Sequence, residues 1–171
     1  AGFEHFERFL TSPSFFILLK NTLRISMTSL LLGFPAPIIL ALMLNELRSN
    51  RFAKVVQNFT YLPHFISWVI VYGVLYNIFS LNGIVNQVMS AFGKEPVAFL
   101  AETSYFRPMF VISAIWKEIG WQAIVYLAAL TSINTELYEA AMVDGASRLR
   151  RTWHITLPGI RSTVLTMFVL A

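Results

Sequence analysis

The chain has 171 residues, of which 56% are hydrophobic and only 13% are charged, and its formal net charge is +4. Soluble domains carry about 25% charged residues, so this composition excludes an ordinary water-soluble domain and predicts a protein embedded in lipid. The chain contains no cysteine, which excludes a disulfide scaffold and thiolate catalysis. Nucleic-acid binding is not expected, because no basic run is interleaved with aromatic residues.

The first predicted elements are an interfacial segment and a membrane span. Residues 1–21 mix charged and aromatic side chains, which is typical of a segment that lies on a membrane surface, and Pro13 is expected to break it. The apolar run that follows is long enough to cross a bilayer and predicts a span over 22–45. Pro35 and Pro37 in its middle indicate a kink, which we interpret as a packing feature rather than a gating hinge.

A second span is predicted over 59–80, with Pro63 near its start. Its aromatic residues recur at spacings of three and four from Phe65 to Phe79, so we expect them to line one helix face. The polar segment 81–105 contains a turn and a short amphipathic stretch, and it is predicted to be an extracytoplasmic loop.

A third span is predicted over 106–133, and it carries Lys117 and Glu118 near its centre. A charge at that depth costs about 3 kcal/mol on insertion scales, so we expect both residues to face a protein interior or a wet cavity. They need not pair with each other, because adjacent side chains on a helix point in different directions. The segment 134–158 is again polar and charged, and 159–171 is predicted to be a truncated fourth span.

Basic residues predict how the chain is oriented in the membrane. The loops 46–58 and 134–158 each hold three basic residues, whereas the 81–105 loop holds only Lys94. The basic residues of the first loop are Arg48, Arg51 and Lys54. Because cytoplasmic loops carry an excess of lysine and arginine, the first two loops are predicted to be cytoplasmic. The chain is expected to be part of a single transmembrane domain over 1–171, with further spans before and after it.

The 134–158 loop contains a motif with fixed spacing. Its residues are Glu139, Ala140 and Ala141, then Gly145 after three residues, Ile155 after nine more, and Leu157 and Pro158 after one more, with Asp144 and Ala146 beside the glycine. Residues 136–142 are good helix formers and predict a short helix, whose two small alanines would let another surface approach its backbone. Gly145 can adopt a positive φ and reverse the chain. Ile155 and Leu157 are expected to anchor a second short helix, and Pro158 suits the start of the next span.

This motif resembles the EAA loop of permease subunits in binding-protein-dependent ABC importers. The wider chain resembles the carbohydrate-class members of that family over nearly all of its length. The resemblance implies an all-α, polytopic membrane helical bundle with the type I ABC importer permease fold, here about three full spans and the start of a fourth. It also implies that the motif residues form a coupling helix, which docks in a groove of the ATPase subunit. Glu139 resembles the acidic contact of that helix, which would meet an arginine or a backbone N–H.

The resemblance further implies the partners of the chain. They are two ATP-binding cassette subunits, a second permease subunit, an extracytoplasmic solute-binding protein and the lipid bilayer of a bacterial inner membrane. ATP and Mg²⁺ would bind the ATPase, so this chain is expected to hold no cofactor, no metal and no catalytic residue. In agreement, the sequence contains no GxxxxGK[ST], HExxH or GxSxG motif. The 81–105 segment is a candidate dock for the solute-binding protein.

The expected cargo is an oligosaccharide, and its contacts are predicted on the second and third spans. Sugars present apolar C–H faces and hydroxyl groups, which aromatic, amide and charged side chains suit. The candidate pathway residues are Tyr72, Tyr76, Asn77, Trp116, Lys117, Glu118, Trp121 and Gln122. Helix packing or lipid contact is the favoured explanation of the aromatic residues, and the three histidines are interpreted as packing or interfacial residues.

Two alternatives remain open from the sequence. The same type of importer could carry another solute, such as an amino acid, a polyamine or an inorganic anion. An unrelated membrane channel or enzyme would share only the topology. A channel predicts conduction without nucleotide, and an enzyme predicts a polar catalytic cluster within a span.

Overall fold

The computed structural model describes residues 2–47 and 49–171, so Arg48, one of the residues that predicted the orientation, lies outside the described residues. All regular secondary structure in these two ranges is helical. The α-helices are α1 (Glu4–Leu10), α2 (Pro13–Gly33), α3 (Pro35–Asn45), α4 (Asn50–Tyr61), α5 (Trp68–Phe79), α6 (Ile84–Ala91), α7 (Thr103–Thr131), α8 (Thr135–Val143), α9 (Arg148–Arg151), α10 (Leu157–Gly159) and α11 (Arg161–Leu170).

The first long helix begins earlier than the sequence predicted. The predicted break at Pro13 is confirmed, since α1 ends at Leu10 and Pro13 opens α2. A proline suits this place because it lacks the N–H that the first helical position cannot use. Residues 13–21 of the predicted interfacial segment belong to α2, and their position on a membrane surface stays a prediction. Phe34 keeps helical angles of φ −69° and ψ −46°, so α2 continues into α3. The combined stretch Pro13–Asn45 is long and apolar enough to cross a membrane.

The predicted span over 59–80 is not a single helix. After α4 the chain forms a short 3-10 turn over Leu62–Phe65, and the backbone is extended at Ile66 before α5 begins. Pro63 lies in this turn and has no N–H with which to continue the α-helical pattern. The stretch here that is long and apolar enough to cross a membrane is Trp68–Ala91, which combines α5 and α6.

The break also changes the predicted aromatic face. Ser67 caps α5, because its hydroxyl accepts a hydrogen bond of 3.4 Å from the backbone N–H of Ile70. Phe65 precedes this cap, so the prediction of one aromatic helix face is wrong for that residue. Tyr72 and Tyr76 do lie one turn apart on α5, with their ring centroids separated by 6.1 Å.

Helix α7 is the centre of the bundle and packs against α2, α3, α4, the 3-10 turn and α11. Its buried face forms a core with residues of α3 and with the residue that precedes α11. The members of this core are Ala41, Ala123, Tyr126, Leu130 and Ile160. A Cβ atom at Gly120 would overlap the backbone carbonyl of Thr60, so α7 and the end of α4 cross in direct backbone contact.

By length and apolar composition, α7 is not among the stretches that could cross a membrane, in contrast to α2–α3 and α5–α6. Its interior holds Lys117, Glu118 and Gln122, which lower its hydropathy. The helix is nevertheless 29 residues long and close to the predicted range of 106–133. A membrane crossing by α7 therefore stays a prediction.

The segment between α5 and α7 is ordered by one buried side chain. Asn86 of α6 is 1% exposed, and its amide nitrogen donates to the carbonyls of Ser80 and Val97, each at 2.9 Å. Its Oδ1 accepts from the backbone N–H of Val97 at 2.8 Å. These bonds fasten the predicted extracytoplasmic loop to the end of α5.

Candidate functional site

Helix α8 forms where the motif predicted a short helix, and it extends the predicted range of 136–142 by one residue at each end. Asn134 caps its first turn, because the side-chain oxygen accepts a 3.0 Å hydrogen bond from the backbone N–H of Glu136. The helix therefore begins on a local signal rather than on tertiary packing.

Gly145 ends α8 with the reversal that the sequence predicted. Its φ is +75°, a left-handed conformation that side chains with a Cβ rarely adopt. The N–H of Ala146 donates to the carbonyl of Ala141 at 2.9 Å, and the N–H of Gly145 donates to that of Met142 at 3.1 Å. This pair of bonds is a Schellman motif. A Cβ at Gly145 would meet no atom within 4 Å, so backbone conformation rather than space selects the glycine.

The outer face of α8 presents small and apolar residues to the surface. Glu139 and Ala140 are exposed, and Ala141 is half-buried. Two larger apolar side chains of the same helix are also uncovered, with Met142 53% and Val143 89% exposed. An uncovered apolar helix of this kind marks a surface that another molecule can bury.

The second half of the motif is anchored in the bundle. The hydroxyl of Tyr138 on α8 lies 2.9 Å from Oγ1 of Thr156, which is 3% exposed. Ile155 and Leu157 are half-buried, and a π-helical turn over Thr152–Thr156 leads into α10. Pro158 lies in the first turn of α10, and its place at the start of a membrane span stays a prediction. The motif therefore joins an exposed helix to a fixed support at the foot of α11.

A polar cluster lies where α7 faces the 3-10 turn. Lys117 is 6% exposed, and its Nζ donates to the backbone carbonyl of His64 at 2.8 Å and lies 3.3 Å from Glu118 Oε1. The other carboxylate oxygen of Glu118 lies 2.8 Å from His64 Nδ1. The two adjacent residues of α7 therefore do meet each other. The buried ammonium satisfies a carbonyl close to the helix break, so Lys117 lies in the protein interior, as its cost in lipid requires.

His64 was missed as a member of this cluster. Its ring stacks on Trp121 with centroids 4.6 Å apart and an interplanar angle of 4°, and Lys117 Nζ lies 5.5 Å from the centroid of the Trp68 ring. One feature of the sequence could have identified His64 as a member. A histidine beside a proline within a predicted span indicates a helix break, where a charged residue from another span can contact the histidine.

A cavity of about 490 Å³ lies between α2, α7 and α11. Two of the candidate pathway residues line it, Glu118 and Gln122, together with Ser26 and Ser29 of α2. Lys117 and Trp121 belong instead to the cluster around His64. The remaining candidates do not line this cavity and are exposed on α5 and α7: Tyr72, Tyr76, Asn77 and Trp116. Within the described ranges, no group of three His, Asp or Glu side chains could hold a metal ion.

Known proteins are similar to this chain in both sequence and fold. The chain is 47% identical over 171 residues to the polygalacturonan/rhamnogalacturonan transport system permease protein YteP of Bacillus subtilis (strain 168), covering 99% of this chain and 53% of that protein. It also matches a chain of a bacterial ABC transporter involved in the import of the acidic polysaccharide alginate, with a TM-score of 0.94 and 48% identity. That match covers 99% of this chain and 60% of the other.

The same kind of transporter has been solved with a partner. The crystal structure of a bacterial alginate ABC transporter in complex with an alginate pentasaccharide-bound periplasmic protein gives a TM-score of 0.93 at 48% identity, over 99% of this chain and 59% of that one. The chain thus spans between half and two thirds of the length of these relatives. The predicted all-α permease fold is confirmed.

The family assignment rests on a match to a family profile as well as on these individual relatives. The sequence profile of the family described as "binding-protein-dependent transport system inner membrane component" matches residues 33–171. This range includes α8, the reversal at Gly145, and the anchored second half of the motif. The chain therefore belongs to the family of inner membrane components of binding-protein-dependent transport systems.

Proposed function

We propose that this chain is part of a permease subunit of an ATP-driven oligosaccharide importer. The observation that carries the proposal is the exposed helix α8, which has small residues on its surface. The chain reverses direction at Gly145 after this helix, and Tyr138 of the helix contacts Thr156 of the bundle. Membership of a binding-protein-dependent family and the transport names of its relatives support the same function. The chain itself carries no catalytic role in this proposal.

Helix α8 is the coupling helix that docks on the ATPase subunit. Ala140 and Ala141 let the ATPase approach the helix backbone closely, and the uncovered Met142 and Val143 supply apolar area to bury. Glu139 is exposed on the same helix and accepts from an arginine or a backbone N–H of the ATPase. Asp144 and Ala146 flank the reversal at its edge.

The anchored half of the motif passes this movement to the membrane part of the protein. Ile155 and Leu157 are packed beside the buried Thr156, and Ile160 directly precedes α11 and is fully buried in the core. A rigid-body shift of α8 therefore pulls on the foot of α11 and on α7, against which Ile160 packs. Such a connection lets ATPase closure rock the helices between inward and outward openings.

The assembly implied by this function has several members. Two ATP-binding cassette subunits hold ATP and Mg²⁺, and a second permease subunit completes the pathway. A solute-binding protein delivers the sugar on the opposite face, where the loop 81–105 held by Asn86 is the proposed dock. Crystallisation of a 48% identical transporter with its periplasmic protein supports such a partner. The basic loops 46–58 and 134–158 face the cytoplasm of a bacterial cell in this arrangement.

Within the membrane part, the cavity beside α7 is the proposed sugar path. Glu118 and Gln122 line it and supply hydrogen-bonding groups for hydroxyls. The exposed Tyr72, Tyr76, Asn77 and Trp116 contact the sugar only if the second permease closes the path against α5 and the outer face of α7. Lys117 supports the 3-10 turn, and Trp121 positions His64.

The coupling role of Glu139 is tested with Glu139→Gln in the full-length permease, reconstituted in proteoliposomes with its ATPase, second permease and binding protein. Loss of a charge-assisted hydrogen bond costs about 1.5–3 kcal/mol, so we expect ATP-dependent oligosaccharide uptake to fall about tenfold or more. The affinity of the binding protein for the sugar should not change.

A matched control is Glu136→Gln on the same helix. Glu136 is also exposed but bonds within its own cap, where Asn134 Nδ2 donates to its carboxylate at 3.1 Å. This control should transport as the wild type does. Equal loss in both variants, or normal uptake by Glu139→Gln, would contradict the coupling role. Sugar flux without ATP in the wild type would favour the channel alternative.

A further inference from the structure

A second, smaller pocket of about 260 Å³ lies between α2 and α7, on the side where α7 begins. Arg24 of α2 and Arg107 of α7 both line it, with Ile25 and Val111 among the apolar residues around them. The two helices thus bring two positive charges to one small, largely apolar pocket. Neither arginine was singled out as a functional residue from the sequence.

The two charges have no acidic partner in the part of the chain that the structure describes, where the ion pairs involve other residues. Arg107 is half-buried, and its Nη2 donates to Oδ1 of Asn21 on α2 at 2.7 Å, which directs the guanidinium toward that helix. A neutral amide does not neutralise the charge. Arg24 is exposed and Arg107 is half-buried, and two positive charges beside one largely apolar pocket favour an anion there.

The pocket lies beside the proposed sugar path. Ile25 and Val111 line both the small pocket and the larger cavity, so the two spaces are neighbours along the groove between α2 and α7. Arg107 and Glu118 are eleven residues apart on one helix, which corresponds to about 16 Å. The groove therefore has a cationic end near the start of α7 and hydrogen-bonding groups farther along.

We propose that Arg24 and Arg107 form an anion-binding entrance that takes the carboxylate groups of an acidic oligosaccharide. This rests on the proposed function and narrows its cargo to sugars that carry carboxylates. A guanidinium presents planar donors that match a carboxylate in two parallel hydrogen bonds. A 48% identical transporter imports an acidic polysaccharide, which is the cargo this charge would select.

A lipid phosphate is the competing ligand for arginines near a membrane boundary. Arginines that serve lipid extend along the surface and hold the head group in water. Arg24 is exposed and fits that description, whereas Arg107 is half-buried and bonded to Asn21 inside the helix pair. The contact with α2 and the shared wall with the larger cavity favour a ligand that moves along the groove.

The test uses the full-length permease with its partners in proteoliposomes and two probes, an alginate pentasaccharide and the same pentasaccharide with its carboxyl groups reduced to alcohols. The variants are Arg24→Gln with Arg107→Gln, and Arg24→Lys with Arg107→Lys. The glutamine pair should lower uptake of the acidic probe about tenfold, leave uptake of the neutral probe unchanged, and keep the basal ATPase rate. The lysine pair should retain more of the acidic uptake than the glutamine pair but less than the wild type, because it keeps the charge and loses the two parallel hydrogen bonds of the guanidinium.

Each other result separates the explanations. An equal loss of uptake for both probes in the glutamine pair, or no loss for either, overturns the anion site. If the neutral probe does not enter even with the wild-type protein, loss of acidic uptake in the lysine pair as complete as in the glutamine pair overturns the site. A deficit that appears only in vesicles with phosphatidylglycerol, and disappears in phosphatidylcholine alone, assigns the arginines to lipid and also overturns it. If the wild type imports neither probe with ATP present, it is the proposed import of oligosaccharides that fails.

Discussion

Replacing Gly145 with valine is expected to weaken binding of the full-length permease to its ATPase partner about tenfold and to abolish uptake. Gly145 has φ +75°, where an L residue pays about 1–2 kcal/mol and a β-branched one more. To relieve that strain the chain must give up the hydrogen bond from Ala146 to Ala141, which sets how α8 leaves the bundle. Binding is measured by titrating labelled ATPase onto the purified permease.

The chain supplies a matched control for this strain. Gly93 ends α6 at φ +73°, and Lys94 and Gly93 donate there in the same Schellman pattern, to Met89 and Ser90. A Cβ at either glycine would meet nothing within 4 Å. Gly93→Val should therefore lose similar thermal stability but bind the ATPase normally. Gly145→Asn should bind better than Gly145→Val, because asparagine tolerates the left-handed region. Equal ATPase binding by the two valine variants would contradict the role of this turn in coupling.

Gly120→Ala is expected to lower the melting temperature of the permease in detergent, with a loss of about 1–3 kcal/mol in stability. Its Cβ would overlap the carbonyl of Thr60 and lie 2.9 Å from the backbone nitrogen of Tyr61. Both contacts are with backbone atoms, which cannot rotate away as a side chain could. Helix α4 must then move from α7, and the nearby bond from Lys117 to the carbonyl of His64 lengthens with it.

The control for Gly120→Ala is Gly73→Ala on α5. A Cβ at Gly73 meets nothing within 4 Å, and alanine is the better helix former by up to about 1 kcal/mol. This variant should melt at or slightly above the wild-type temperature. If Gly120→Ala behaved in the same way, α4 and α7 would not be in backbone contact.

Local signals in the sequence predicted the parts of the fold that local interactions fix. The helix predicted over 136–142 begins at a side-chain cap and ends at a glycine, and both features can be read from residue type alone. Helix α7 also forms close to the range of 106–133 that was predicted for it. The positive φ at Gly145 followed from the same reasoning, since no tertiary contact is needed to select it.

The errors arose where a residue type allows two local structures. Pro13 was expected only to break the N-terminal segment, but it also starts α2, well before the predicted beginning of the span at residue 22. Pro63 was placed at the start of a span, whereas it lies in a turn that divides the segment. The role of Ser67 as a helix cap was not predicted, because it lies in an apolar run and hydropathy does not distinguish one continuous helix from two capped helices.

The polar sites depend on tertiary packing, which the periodicity of apolar residues in the sequence does not predict. His64 and Glu118 are 54 residues apart in the sequence, and they meet only because Gly120 lets α4 and α7 come together. Likewise, Arg24 and Arg107 are far apart in the sequence, and only the packing of α2 on α7 brings them to the same pocket. Charged residues in spans could be recognised as costly from sequence, but their partners could not be assigned.

Labelling of a single cysteine tests most directly whether α8 is the surface that meets the ATPase. These 171 residues contain no cysteine, so Ala140→Cys in a cysteine-free full-length permease gives one reactive thiol on the exposed face of α8. Ser90→Cys on the exposed surface of α6 is the control. With the ATPase bound and the binding protein left out, maleimide labelling should slow about tenfold or more for Ala140→Cys and not at all for Ser90→Cys. Equal labelling of Ala140→Cys with and without the ATPase would contradict the proposed coupling of this permease.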